Sequence, residues 1–390
     1  MLLLVAAAFA NGQTSHQWIT LQAIGLVPRG ELADFLARDD VRAALLNGTM
    51  FPDGGYAVDD DYGEMAHWEP TQDAYLDWIV DTWDDPVSDP EGAQHVAFLL
   101  GMRSHGLADQ VYDSTFMERS RAWDPAESWA CCSMDEATDV AMAAETGPGT
   151  VPEKWWPEEL LTIFSDRGHA VDFATVDQGQ DLLALAIAYV GASSEYDETV
   201  AEYTAEFPWA CTHQVDPDVI GNPPDEARFV AAYWQVTWDR LHGASGWDAP
   251  LLATVPADGY QVVRDATSPD ARLALVLARG LDTASAEAAV SVATADGTPV
   301  PVTVDLFYGT SSHVLNVAPV EDWAADTDFV VTIAAGVTTW DGAYTLESPI
   351  TTTFTTRAPV EDVPDPDPAP CGCGNGSAAL LLLALGVRRR

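Results

Sequence analysis

The sequence predicts two folded parts in series, an all-α domain over residues 11–248 and an all-β sandwich over 249–357. Three observations carry this. From residue 16 to 46 apolar residues recur at mixed three-and-four spacing, the period of a buried helix face, and further helical patterns run on to residue 243. Near Pro250 the texture changes to Val- and Thr-rich alternating runs between turn residues. Between His95 and Asp113 an apolar run passes into ionisable groups at strict intervals of four: His105, Asp109 and Asp113.

Composition bounds the function. The 390 residues are 47% apolar, as in a globular chain, yet 61 acidic residues face 17 basic ones for a formal charge of -44. No general nucleic-acid binding is expected, because phosphate contacts need Lys and Arg. Adsorption to anionic membranes is disfavoured for the same reason. A reaction on a phosphate ester then depends on local positive charge, for which bound divalent cations are the obvious source. Five cysteines are too few for a disulfide scaffold, and neither Cys131-Cys132 nor Cys371-x-Cys373 has structural-zinc spacing. One of Cys131 and Cys132 is a candidate to bridge to Cys211.

Taken in order, the first ten residues, MLLLVAAAFA, are apolar and end in the small-x-small form of a signal-peptide cleavage site, although a basic n-region is missing. Cleavage after Ala10 puts the mature terminus at Asn11, five residues before His16. Residues 16 to 46 read as helices, with Ile19, Ile24, Leu32, Phe35, Leu36, Val41, Leu45 and Leu46 on their apolar faces. The Gly, Pro and Asp of LNGTMFPDGGY are expected to break the helix and form a loop carrying Asp53. His67, in His67-Trp68-Glu69-Pro70, is the next inward candidate, and Asp59-Asp60-Asp61 reads as a solvated loop.

Helices are predicted from Tyr75 to Trp83 and from Gln94 to Met117. In the second of these, a step of four advances about 40° around the helix and about 6 Å along it, so His105, Asp109 and Asp113 form an inward ladder. A His beside two carboxylates under Phe98, Leu99, Leu100, Leu107 and Val111 is costly to bury unless paired or coordinated. The alternative is a solvent-facing polar stripe. His95, ten residues before His105 on another face, reads as a helix-start residue. Residues 134 to 145 form a helix in which Asp135 and Asp139 repeat the spacing of four, and residues 151 to 243 add Trp-, Leu- and Ala-rich helices. His169, His213 and His242 have no metal-ligand spacing and read as surface or capped residues.

The set MFPDGGY, AHWEP and FLLGMRSHGLADQVYD, in this order along the chain, resembles the zinc-dependent phospholipase C fold, and most closely the N-terminal catalytic domain of glycosylphosphatidylinositol-specific phospholipase D. The resemblance covers roughly residues 11 to 243. It implies an all-α metal-dependent phospholipase C/nuclease-like domain with two or three zinc ions. It also implies that Asp53, His67, His105 and Asp109 hold one ion, that His16 and the amine of Asn11 share Asp109 with a second, and that Asp113, Asp135 and Asp139 hold a third. Two departures stand out. The third set has three carboxylates where zinc phospholipases C use His, His and Glu, and Leu21 stands where the phospholipase D pattern has a second early His. An oxygen-only third site suits a harder divalent cation than zinc.

From Leu251 to Arg357 the runs ARLALVLARG, AVSVATADGTPVPVTVDLFY and DFVVTIAAGV read as a sandwich of about a hundred residues. Its closing sequence, through WDGAY to TTTFTT, resembles a bacterial Ig-like domain of S-layer and surface proteins, so the second domain is expected to be an all-β Ig-like sandwich. His313 reads as a structural residue in a hairpin. Residues 358–370 form a Pro/Asp linker, and residues 371–390 join Cys371 and Cys373 to a short apolar run and terminal Arg residues. This tail resembles the myxobacterial type of C-terminal sorting tag, which implies cell-envelope sorting machinery as a partner and a location at the surface or outer envelope. A buried hydrophobic tail is the other reading.

Hydrolysis of a phosphodiester at a metal cluster needs a cation for the non-bridging oxygens, an activated water in line with phosphorus and a carboxylate to steer a proton. Asp53 is the candidate for that carboxylate. The chain has no GxSxG, Cys/His pair or phosphate-cradling Gly loop to support another mechanism. The expected activity is a metal-dependent phosphoric diester hydrolase acting on a phospholipid or glycolipid phosphodiester. A single-strand nuclease of the same fold is one alternative, and a surface-binding protein whose metals only stabilise it, with the Ig-like domain as spacer, is another.

Overall fold

The computed structural model describes residues 11–125, 133–257 and 261–356. The expected signal peptide, Cys131 and Cys132, the linker and the sorting tag lie outside the described residues.

The first part is helical: α1 Gln13–Leu26, α2 Glu31–Leu36, α3 Asp39–Met50, α4 Asp53–Ala57, α5 Tyr62–His67, α6 Glu69–Thr82 and α7 Pro90–Val111. A π-helical turn, Tyr112–Phe116, leads into α8 Met117–Trp123 and then α9 Ser133–Thr146. Five more helices follow: α10 Glu159–Asp166, α11 Phe173–Ser193, α12 Asp197–Glu206, α13 Pro208–His213 and α14 Pro223–Leu241. Local signals set several starts. Asp89 caps α7 by accepting from Glu91 N and Gly92 N before Pro90, Asp172 caps α11, and Asn222 caps α14 ahead of Pro223. Among the described residues no helix is long and apolar enough to cross a membrane.

Helix α7 runs through the core, with Val96, Phe98, Leu99, Leu100 and Met102 all buried. It packs on α3 at backbone contact distance because both helices present glycine. A Cβ on Gly48 would lie 2.1 Å from Phe98 O, and one on Gly101 would lie 2.3 Å from Leu45 O. The glycine read as a helix breaker is thus a packing residue, and α3 continues to Met50. Pro52 and Asp53 then open the short helix α4 where a loop was expected. His95, expected at a helix start, is a core residue. Its Nδ1 lies 2.7 Å from Tyr75 Oη and its ring packs among Trp78, Trp83 and Trp155, and burial lowers its pKa to about 4.

The second part is a sandwich of β1 Leu251–Val255, β2 Gln261–Val262, β3 Leu273–Leu277, β4 Val290–Thr294, β5 Pro299–Val300, β6 Val302–Leu306, β7 Val314–Pro319, β8 Asp328–Ile333 and β9 Ile350–Thr356. One sheet has the order β1-β3-β7-β6 and the other β2-β9-β8-β4-β5, with antiparallel pairing except at β2 and β9. Alternation turns Leu273, Leu275 and Leu277 and, from the other sheet, Val290, Val292, Phe329 and Val331 into one core. The register sets Phe329 opposite Phe354, their rings 4.8 Å apart beside Trp323.

The two parts share a seam. Leu107 and Val111 of α7 and Phe229 and Tyr233 of α14 bury against Val255, Ala274, Val276 and Val314. Beside them, Glu69 accepts from Arg279 Nε at 2.6 Å and from Gly280 N. Asp73, one turn later, accepts from Arg279 Nη2 at 2.8 Å, Arg240 Nη1 at 2.6 Å and Arg103 Nη2. His313, read as structural, lies in this seam, with Nε2 3.3 Å from Tyr233 Oη. A buried ionic network matched residue by residue fixes one docking geometry, since any shift strands a charge out of water.

Candidate metal centre

Five predicted residues converge although they come from four helices. His16 lies on α1, whose N-terminus has no cap of its own; Asp139 of α9 supplies one from across the fold. Asp139 accepts from Thr14 N at 3.0 Å, Ser15 N at 2.7 Å and Ser15 Oγ at 2.9 Å. His16 is thereby held with its ring stacked on His105 at 3.7 Å. Asp53 opens α4, and its Oδ2 accepts from Gln13 Nε2. His67 closes α5, and His105 and Asp109 share a face of α7.

The contacts are mutual. His16 Nε2 lies 3.1 Å from Asp109 Oδ1, while His105 Nε2 lies 3.2 Å and His67 Nε2 3.4 Å from Asp109 Oδ2. Asp53 Oδ1 stands 3.5 Å from His67 Nε2 and 3.4 Å from His105 Nε2. Among the described residues two sets bring their ligand atoms within 4.8 Å of one another and could hold an ion: His16 with His105 and Asp109, and Asp53 with His67 and His105.

The donor chemistry fits a divalent cation. His67 Nδ1 lies 2.6 Å from Gly63 O and His105 Nδ1 2.8 Å from Thr49 O. A carbonyl only accepts, so each Nδ1 carries a proton, and each ring turns Nε2 inward, where it offers a lone pair to a cation or takes a second proton. Those two Nε2 atoms are 2.9 Å apart. Nearby, Asp53 Oδ1 and Asp109 Oδ1 are buried and face these imidazole nitrogens. Lone pairs facing one another out of water need a cation or an added proton. In the metal-free cluster burial lowers the His105 pKa, but Asp53 and Asp109 overcome it and raise it to about 10. The close approach at Gly48 and Gly101 delivers the Thr49 carbonyl that orients this ring.

The remaining candidates occupy the carboxylate end. The π turn begins at Tyr112, so Asp113 leaves the regular ladder. Its Oδ2 accepts from Tyr308 Oη, and its Oδ1 is buried without a partner. Burial pushes the Asp113 carboxyl well above its ordinary range, and Asp109 and Asp135 add to the rise. Asp135 is buried on α9. Asp139 has both oxygens engaged by the α1 terminus, while Asn11 Nδ2 donates to Glu226 Oε2 at 3.0 Å.

Glu226 was missed in the sequence. It is fully buried, its Oε1 has no hydrogen-bond partner, and burial together with Asp109, Asp225 and Asp113 raises its pKa well above normal. The available signal was its place in the stripe Glu226, Val230, Trp234 at steps of four, an acid on the apolar face of α14. The histidines read as surface or capped residues each have a partner. His169 pairs with Asp60 at 2.7 Å, and His213 Nδ1 and His242 Nδ1 face the carbonyls four residues back.

Among known proteins, the family model described as bacterial Ig-like domain matches residues 249–356, so the second part is Ig-like as expected. None of the curated proteins matches the chain. Two similar solved structures are the S-layer protein rSbsC and the N-terminal part of the bacterial S-layer protein SbsC. The first is 9% identical over 85% of this chain and 46% of its own, with a TM-score of 0.23. The second is 10% identical over 85% of this chain and 80% of its own, also at 0.23. The chain thus spans just under half the length of rSbsC, and a likeness of this size defines neither fold nor activity.

Proposed function

We propose that this chain is an exported, cell-surface metal-dependent phosphodiester hydrolase, a phospholipase of type C or D using a multinuclear zinc site. The observation that carries the reading is the pair of Nε2 atoms of His67 and His105, both turned toward one point that Asp53 and Asp109 border. When bound, divalent ions supply positive charge for the phosphate oxygens and activate water, which so acidic a chain lacks the basic residues to do.

The protein's own groups divide the tasks. His16, Asp53, His67, His105 and Asp109 would hold the ions, with Asp109 Oδ1 on His16's side and Oδ2 on that of His67 and His105. Asp53 would also orient the attacking water and take up its proton, with Gln13 holding its Oδ2. The charge of -44 favours a lipid or glycolipid phosphodiester over a polynucleotide. The bacterial Ig-like match and the tail resembling a sorting tag support a cell-surface location.

The test is hydrolysis of a chromogenic phosphodiester by the full chain, with and without chelator and zinc add-back, followed by phospholipid vesicles against single-stranded DNA. Chelator-sensitive turnover that prefers lipid is expected. Zinc-loaded protein inert on every phosphodiester would leave a metal-stabilised binding protein, and preference for DNA would mark a nuclease.

A further inference from the structure

The hairpin that joins β6 to β7 leaves the sandwich and ends against the helical domain. Gln110, the residue after Asp109 on α7, accepts from Ser312 Oγ at 3.0 Å and from His313 N at 2.7 Å. On the hairpin itself, Ser311 holds φ at 77° and donates its N–H to Leu281 O at 2.9 Å. A serine keeps that backbone region only where surrounding contacts over-determine it. The hairpin is therefore fixed to the same helix that carries His105 and Asp109.

Tyr308 is the residue this hairpin delivers. Its hydroxyl donates to Asp113 Oδ2, and its ring lies 4.8 Å from that of Trp68, the neighbour of His67. Trp68 is in turn tied to Glu64 through Nε1 at 2.7 Å. Asp113 has Asp109 and Asp135 near it, which repel its charge while Arg121 attracts it, and the hydrogen-bond partner that holds it, Tyr308, carries no charge. A phenol holding one oxygen leaves the other directed by geometry. Outer groups that hydrogen-bond a ligating carboxylate typically change metal affinity about 10- to 100-fold.

We propose that Tyr308 is a positioning residue supplied by the Ig-like domain: its hydroxyl fixes Asp113 so that Oδ1 ligates a cation at the carboxylate end of the centre. The Ig-like domain then completes the site it is docked on instead of acting as a spacer. The inference rests on the metal reading above.

The experiment is titration of the metal-free full chain with zinc and, separately, manganese, following each class of bound ion by calorimetry in the wild type, Tyr308→Phe and Asp113→Asn. Tyr308→Phe is expected to weaken one class about 10- to 100-fold while leaving the other, and the unfolding midpoint of the metal-free chain, unchanged. Asp113→Asn should weaken or abolish that same class. A merely structural Tyr308 would lower the midpoint and weaken both classes together, which overturns the proposal. Wild-type binding in Tyr308→Phe overturns it too, with the metal reading intact if the wild type binds ions. A wild type that binds neither ion removes the metal reading and this proposal together.

Discussion

The Nε2 atoms of His67 and His105 face each other across 2.9 Å while each ring is pinned through Nδ1 to a main-chain carbonyl. In the metal-free protein a proton on His105, whose pKa Asp53 and Asp109 raise to about 10, fills that gap, and a cation bound only by the folded chain takes its place. Zinc should therefore stabilise the chain by about 2.7 kcal/mol at a free concentration a hundredfold above its Kd, and chelator should reverse the gain. Thermal unfolding with graded zinc checks this. A midpoint indifferent to zinc would mean the cluster is held by protons instead.

Asp109 touches both halves of the cluster, His16 through Oδ1 and the His67–His105 pair through Oδ2. Asp109→Asn keeps the shape, removes the charge and places an amide NH2 where a lone pair is needed. Metal content and phosphodiesterase activity should fall together, by more than tenfold in activity. Elemental analysis alongside turnover decides it, and normal activity at normal metal content would remove Asp109 from the centre.

The sequence showed the residues that converge in this centre but not how two of the others are used. On α7, one periodicity buries Phe98, Leu99 and Leu100 and also orders His105 and Asp109, so pattern and placement carry the same information. Asp113 is set by the π turn at Tyr112, a local change of helical register that a spacing of four cannot show. Asp139 repeats the spacing of a ligand, yet its oxygens are used by the N-terminus of α1, a partner 124 residues away for Ser15. The Glu69–Arg279 pair spans 210 residues and joins two domains, each of whose patterns is complete without it. Such pairs arise from docking, and only tertiary structure reports them.

Asp139 gives a prediction that separates capping from ligation. Asp139→Ala leaves Thr14 N, Ser15 N and Ser15 Oγ buried without an acceptor, at a cost of about 1–3 kcal/mol. Denaturant unfolding should register that loss, while ion stoichiometry at saturating metal stays at the wild-type value. One ion fewer with little change in stability would assign Asp139 to the metal instead.

Asp73 ties the seam to pH. Burial raises its pKa, but Arg103, Arg240 and Arg279 outweigh burial and hold it at about 2, below the ordinary 3.8. Because the folded value is the lower one, the contribution is fully present above about pH 4 and is lost as the pH falls toward 2. The difference corresponds to about 2 kcal/mol. Asp73→Asn should flatten the fall in stability between pH 4 and pH 2, and it should also destabilise the chain at neutral pH by leaving three guanidinium groups with less charge to face. Arg279→Ala strands Glu69 and Asp73 from the other side. Losing one partner of a buried ionic pair costs about 3–5 kcal/mol, here moderated because Arg240 still reaches both carboxylates. Urea unfolding of the two variants across pH 2 to 7 measures both effects, and equal acid sensitivity in wild type and Asp73→Asn would show that other carboxylates set the acid limit of the fold.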